Sequence, residues 1–462
     1  MFQDVYIPPG FCDPAPQRQP LHEGALADPR APDSPPATES PRALLLLPDT
    51  DAADSLLNHA PPILDPVENG PICASLRALL DGMAASSPMV RHAMAAFAAV
   101  QFFTTSGEKV DYRVYYDKAA RELAEKFSRG GGGGGGGVVA RSELRYVLTT
   151  IFFLTYINFL TGRVDLAHAN LAKAHRALQS CGKDVLGSLE QRIVSWIRWS
   201  DTRAALAGGE GLLLNDTSGI YPSTPSSVPS DAGSHSAGGP ATSDSYEIIY
   251  GMLCQPGIAF FQEVQTITGR ITRIAHHHRS RGSVEDETEV MAIAADILRD
   301  LSSLYERRPA LTDHAVSGNI RGDALAEPLA SAVVRSFQTY VVNFYACYVH
   351  LHRVAHRHLA RSRAVSTALQ KIREIMHFMV ENNESIPVNT LWPLFMWGSE
   401  EDDYEECRWI LETIRSLRHV ASNATMIADA LEEIQKRQRE AGARVHIRSV
   451  LMELFNGTLA IV

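Results

Sequence analysis

His350, His352, His356 and His358 crowd together just after Cys347, and they are the first residues to weigh for chemistry. His352 and His356 stand four apart, a spacing that can grip a metal ion from one face of a helix. The thiol does not join that set: Cys347 and His352 point roughly 140° apart around a helix axis. Arg353 and Arg357 are interleaved and oppose a bound cation, so the run reads as a solvated helix flank. His276-His277-His278, followed by Arg279 and Arg281, fits a helix end where cations meet the C-terminal dipole.

The acidic residues Glu400, Glu401, Asp402, Asp403, Glu405 and Glu406 lack the alternating ligands and central glycine of a calcium loop. A negatively charged helix N-terminus is expected there instead. Lys436, Arg437, Arg439, Arg444, His446 and Arg448 form a short basic stretch with intervening acids, a poor footprint for nucleic acid. The sequence holds no HExxH, P-loop or GxSxG motif and no nucleophile with a recognisable partner. No enzyme is expected, and no catalytic, cofactor-binding or metal-binding residue is assigned. His168 and His175 are the buried histidines an unrecognised helical enzyme would use.

Bulk properties narrow the class further. The formal charge of −10 gives no global attraction to nucleic acid or to anionic membrane. The most apolar run, Ile151 to Leu160, is about half the ~20 residues of a spanning helix and reads as a buried helix. No charged region followed by an apolar stretch marks a secretory signal at the start of the sequence. A soluble, intracellular protein is expected. Cys12, Cys73, Cys181, Cys254, Cys347 and Cys407 are dispersed, with no CxxC pair, so reduced and buried thiols are expected.

The elements that would position these residues are helices. Residues 1–55 are proline-rich and aperiodic and read as a disordered arm. Residues 56–462 read as one all-α domain with two flexible insertions, the glycine run at 130–137 and a Ser/Pro/Gly/Thr stretch at 215–245. Thr224-Pro225, Ser34-Pro35 and Ser40-Pro41 are candidate proline-directed phosphorylation sites in these segments. Apolar stripes at helical spacing run through Tyr115, Tyr116, Ala119, Leu123 and Phe127, and through Val290, Ile293, Ile297, Leu301 and Leu304. Others comprise Phe337, Val341, Phe344, Tyr348, Leu351, Ala355 and Leu359, and Ile427, Leu431 and Ile434. Three of the five tryptophans, Trp392, Trp397 and Trp409, fall in one corner. There Pro393 starts a helix, Gly398 stops it, and Ser399 with Asp402 caps the next, which carries Cys407, Ile410, Ile414 and Leu417.

Four blocks, in order, resemble the regulatory region of fungal transcription factors of the zinc binuclear cluster class. They are Leu56-Leu57-Asn58-His59 leading to Ser87-Pro88-Met89-Val90-Arg91-His92-Ala93, and Tyr115-Tyr116-Asp117-Lys118-Ala119. Next come Val194-Ser195-Trp196-Ile197-Arg198-Trp199-Ser200-Asp201, running on through Leu206 to Gly208-Gly209, and the Trp392 to Trp409 corner with its closing helix around Leu431. The resemblance implies an all-helical regulatory domain, a nuclear location, and contacts with coregulators, the transcription machinery or a second subunit. It also implies regulation by a partner or a bound effector. The six cysteines are too dispersed to form the family's two-zinc module, so this chain needs no cofactor of its own. Zinc and DNA would be engaged only by a module supplied elsewhere. The alternative is a zinc-less interaction protein that does not bind DNA.

Overall fold

The computed structural model describes residues 74–106, 111–129, 139–180, 186–207, 211, 213, 242–277, 283–320, 325–382, 386–455 and 459–461. Among them lie α1 (Ala74–Ser86), α2 (Pro88–Ser106), α3 (Arg113–Arg129), α4 (Arg141–Leu160), α5 (Val164–Ser180) and α6 (Ser188–Leu206). After them come α7 (Thr242–His277), α8 (Val284–Glu306), α9 (Leu311–Val316), α10 (Glu327–Ala355) and α11 (Arg363–Glu381). The chain closes with α12 (Leu391–Gly398), α13 (Tyr404–Ser416), α14 (Ala424–Ala441) and α15 (Ile447–Phe455). Short 3-10 turns at Val388–Thr390 and Leu417–His419 flank the corner. No strand occurs among the described residues, so the all-α reading holds. None of their helices is long and apolar enough to cross a membrane.

Two central helices organise the packing. α4 is apolar nearly all round, and every residue from Val147 to Leu160 is buried. A helix of that pattern must be enclosed on all sides, and α2, α5 and α6 surround it. α10 is buried in the same way from Ser336 to Arg353, between α7, α8, α9, α11 and α12. α6 packs on α7 and joins the two halves into one continuous core. Ties from far along the sequence reinforce it: Gln101 Nε2 donates to Val420 O at 3.2 Å and Ser422 Oγ to Leu160 O at 3.2 Å.

The stripes read from sequence face this core, with two departures. Leu359 lies beyond the end of α10 and is exposed, because the helix stops at Ala355 and His356 leaves helical geometry. α7 begins at Thr242, so the second insertion ends earlier than 245. The remainder of that insertion, the glycine run, the 1–55 arm and the three candidate phosphorylation sites lie outside the described residues, as do Cys12, Cys73 and Cys181. Cys254, Cys347 and Cys407 are free and buried.

The most extensive helix crossing is that of α7 on α10. At Gly257 an added Cβ would sit 2.9 Å from two ring carbons of Phe337 and 3.1 Å from Tyr340. Glycine is required by close approach. A Gly257→Leu variant is expected to lose about 1–3 kcal/mol through overpacking, read as a lowered urea midpoint with an unchanged slope.

Candidate functional site

The tryptophan corner begins at α12, all of whose residues are buried. Pro393 sits in its first turn, where a missing N–H costs nothing. Gly398 ends the helix as the sequence suggests, but for another reason. Its backbone is not left-handed; a Cβ there would lie 2.7 Å from Leu431 and 3.1 Å from Ile410. The expected cap is displaced. Ser399 remains in right-handed geometry and donates its Oγ to Met396 O at 2.8 Å, so it cannot serve as an extended N-cap. Asp403 takes that place, accepting the Glu406 N–H at 3.0 Å.

Aromatic rings fill the corner. Trp397 packs against Trp409 at 5.7 Å, and His377 from α11 lies 4.2 Å from Trp409, centroid to centroid. Trp392 meets the edge of His350 at 5.1 Å. The polar rims are tied down: Trp397 Nε1 donates to Glu401 Oε2 at 2.8 Å, and Glu406 accepts from Arg373 and faces His377 Nε2 at 3.0 Å.

Glu400 departs most from expectation. It does not decorate a helix N-terminus. It is 3% exposed and shared by three arginines. Arg353, from the end of α10, reaches it at 2.5 Å and also donates to Ser399 O at 2.8 Å and Val445 O at 3.1 Å. Arg444 makes a two-pronged contact, Nε to Oε1 at 2.8 Å and NH2 to Oε2 at 2.9 Å. Arg361 adds a third contact at 3.2 Å and bonds Asp402 at 2.8 Å. Gln435 and Gln438 donate to the carbonyls of Gly398 and Ser399 at 2.9 and 2.8 Å, satisfying the buried carbonyls at the end of α12. Gly442, at φ +60°, turns the chain out of α14 so that Arg444 can point back.

These contacts set the local protonation states. Burial by itself would raise the Glu400 carboxyl, but the Arg444 hydrogen bond and the charges of Arg353, Arg444 and Arg361 outweigh it and hold it low. Burial also lowers Arg353, against the pull of Glu400, yet an arginine stays charged. His350 and His352 are buried, which corrects the solvated-flank reading for those two. Burial, with Arg353 nearby, brings His350 down to about 3. Burial, with Arg444, brings His352 down to about 4. Both are neutral at pH 7. His356 caps the helix and His358 is exposed beside Arg357. The four histidines do not converge, and no group of three or more candidate metal ligands forms among the described residues.

The remaining residues singled out by sequence are spread across the fold. His168 and His175 are only half-buried; His168 Nε2 meets Ala204 O at 3.2 Å and His175 meets Gln179. α7 ends at His277, and His278, Arg279 and Arg281 lie outside the described residues. In the basic stretch, Arg437 pairs with Glu433 and Glu453, and Arg444 with Glu400. The blocks behind the resemblance are packing elements. Pro88 opens α2, and Tyr116 Oη accepts from Asn158 at 2.9 Å. On α6, Trp196 packs on Phe152 and Trp199 on Tyr156. Leu56 to His59 lie outside the described residues.

The described residues form an all-helical scaffold. A sequence profile described as a fungal specific transcription factor domain matches residues 56–457. The chain belongs to that family, which is one of transcription factor domains and not of enzymes. No curated protein and no solved structure matches it.

Arg353→Met removes the most deeply buried of the three cations on Glu400 and the side-chain donor to Val445 O, while Arg444, Arg361 and Gln438 keep their contacts. It is expected to cost about 1.5–3 kcal/mol in urea unfolding. Acid acts on the same region. The folded-state pKa values of His350 and His352 lie below the unfolded value of 6.5. The unfolded chain therefore binds more protons between pH 6.5 and about 4, and their contribution, complete above pH 6.5, is lost as pH falls. Each group adds a slope approaching ~1.4 kcal/mol per pH unit in that window. Urea midpoints are expected to fall from pH 7 to pH 4, less steeply in His350→Phe, which retains a ring beside Trp392.

Proposed function

We propose that this chain regulates transcription through its helical domain, by binding protein partners or an effector, and that it works in the nucleus. The profile match across residues 56–457 carries the reading. The structure supports it physically, because α10, α11, α12 and α14 are joined through one buried corner. A partner pressing on any of these helices moves the others. Direct base reading by the family's paired-zinc module is not this chain's task, since its six cysteines are scattered. DNA is engaged through a module or subunit supplied elsewhere, and coregulators or the transcription machinery are the contacts. The same scatter favours, as a second reading, a zinc-less partner that acts only by association with a DNA-binding subunit.

Fusion to an unrelated DNA-binding module upstream of a reporter tests the first reading. The fused chain is expected to change transcription several-fold, and Arg353→Met, by loosening the corner, is expected to abolish the change. A fusion with no effect on the reporter, at equal protein level, removes the first reading and favours the second.

A further inference from the structure

Ser366 is the one serine or threonine in the sequence that stands three residues after one arginine and five after another, Arg363 and Arg361. The run Arg361-Ser362-Arg363-Ala364-Val365-Ser366 is the charge pattern that an arginine-directed protein kinase reads with carboxylates of its own. Short motifs arise by chance, and burial decides whether an enzyme can reach one.

This one faces solvent. α11 buries Val365, Ala368, Ile372, Ile375, Met376 and Met379 on one side. Arg363, Ser366, Gln370 and Arg373 recur at helical spacing on the opposite side, and all four are exposed. Arg357, His358 and Arg361, in the segment leading up to them, are exposed as well. Arg361 is shared with Glu400 and Asp402, and Arg373 pairs with Glu406. Arg363 has no acidic partner among the described residues.

The Ser366 hydroxyl is also uncommitted. Ser200 and Ser302 donate theirs to the carbonyl one turn earlier, each at 3.0 Å. Ser366 makes no such bond; only its backbone N–H is engaged, donating to Ser362 O at 3.0 Å. Its place on the helix suits a phosphate. α11 starts at Arg363, where Ser362 Oγ accepts the Val365 N–H at 3.3 Å. No acidic residue lies in its first turn, whereas α8 has Glu285, Asp286 and Glu287 there and α13 has Glu405 and Glu406. The positive end of the α11 dipole is therefore left without a carboxylate. A first turn also opens at small cost, which lets residues 361–366 extend into a kinase cleft.

We propose that Ser366 is a phosphorylation site for an arginine-directed protein kinase, and that its phosphate strengthens the start of α11. The Ser366 Oγ attacks the γ-phosphorus of a nucleoside triphosphate. An O–P bond forms there and the bridging bond to the β-phosphate breaks. The nucleoside diphosphate leaves, and the hydroxyl proton passes to the base of the kinase. The product carries about −1.5 to −2 charges at pH 7, close to a helix N-terminus and one turn from Arg363. α11 also carries His377 against Trp409, so a firmer α11 bears on the tryptophan corner. The modification stands whether or not the domain regulates transcription.

The folded full chain, incubated with magnesium ATP and the catalytic subunit of an arginine-directed serine kinase, tests the site by mass spectrometry of its peptides. Phosphate is expected at Ser366 and is expected to vanish in Ser366→Ala. Arg363→Ala, a change at an exposed position, is expected to slow incorporation about tenfold through loss of one charge-assisted contact. The phosphorylated chain is expected to melt higher than the unmodified one, with the gap shrinking in high salt. No phosphate at Ser366 in the folded chain, incorporation only after urea unfolding, or an unchanged rate in Arg363→Ala overturns the site. A phosphorylated chain that melts no higher overturns the role given to the phosphate.

Discussion

A carboxylate buried to the last few per cent needs cations around it, and Glu400 has three. Desolvating such a group is costly, and only short, well-aligned partners offset the penalty. Those partners come from the end of α10, the segment before α11 and the turn after α14. The requirement to neutralise Glu400 therefore fixes how segments distant in sequence meet. Once they meet, the carbonyls at the end of α12 find their donors and the rings of Trp392 and Trp397 are enclosed. The gain is one of register more than of net stability, because a buried ion pair specifies where its partners must be.

Helix existence and burial were legible in the sequence because they follow from period. Val290, Ile297 and Leu301, or Ile427, Leu431 and Ile434, need only a 3.6-residue repeat to be placed on a core face. The site was legible as a place and not as a chemistry. The tryptophans marked the corner, but Glu400 looked like any member of an acidic run. Its role depends on Arg353, Arg361 and Arg444, and no local rule connects residues so far apart. Arg353 stands outside the apolar stripe of α10, among histidines and close to Arg357, and gave no local sign of burial. The buried histidines were misjudged for a related cause: Arg353, which looks solvated in sequence, is turned inward by Glu400 from the turn after α12. The cap moved from Ser399 to Asp403 because α12 holds its geometry longer than the glycine suggests.

The family assignment and the geometry fit one another. The blocks that carry the resemblance are places where large rings or buried polar groups lock one helix to the next, as Trp196 and Trp199 do on α4 and Trp397 does on α13. A domain joined in this way suits regulation, since a contact at one surface is transmitted through packed elements that do not deform continuously. Arg353 is neutralised within the fold and holds the corner together.

The most direct test of the organising role of Glu400 is a double-mutant cycle in urea unfolding, with Glu400→Gln and Arg444→Gln made singly and together. A coupling on the order of 2 kcal/mol is expected for groups in one buried network. Effects that add to within about 0.5 kcal/mol would show that the two act independently, and the corner would then be held by its rings alone.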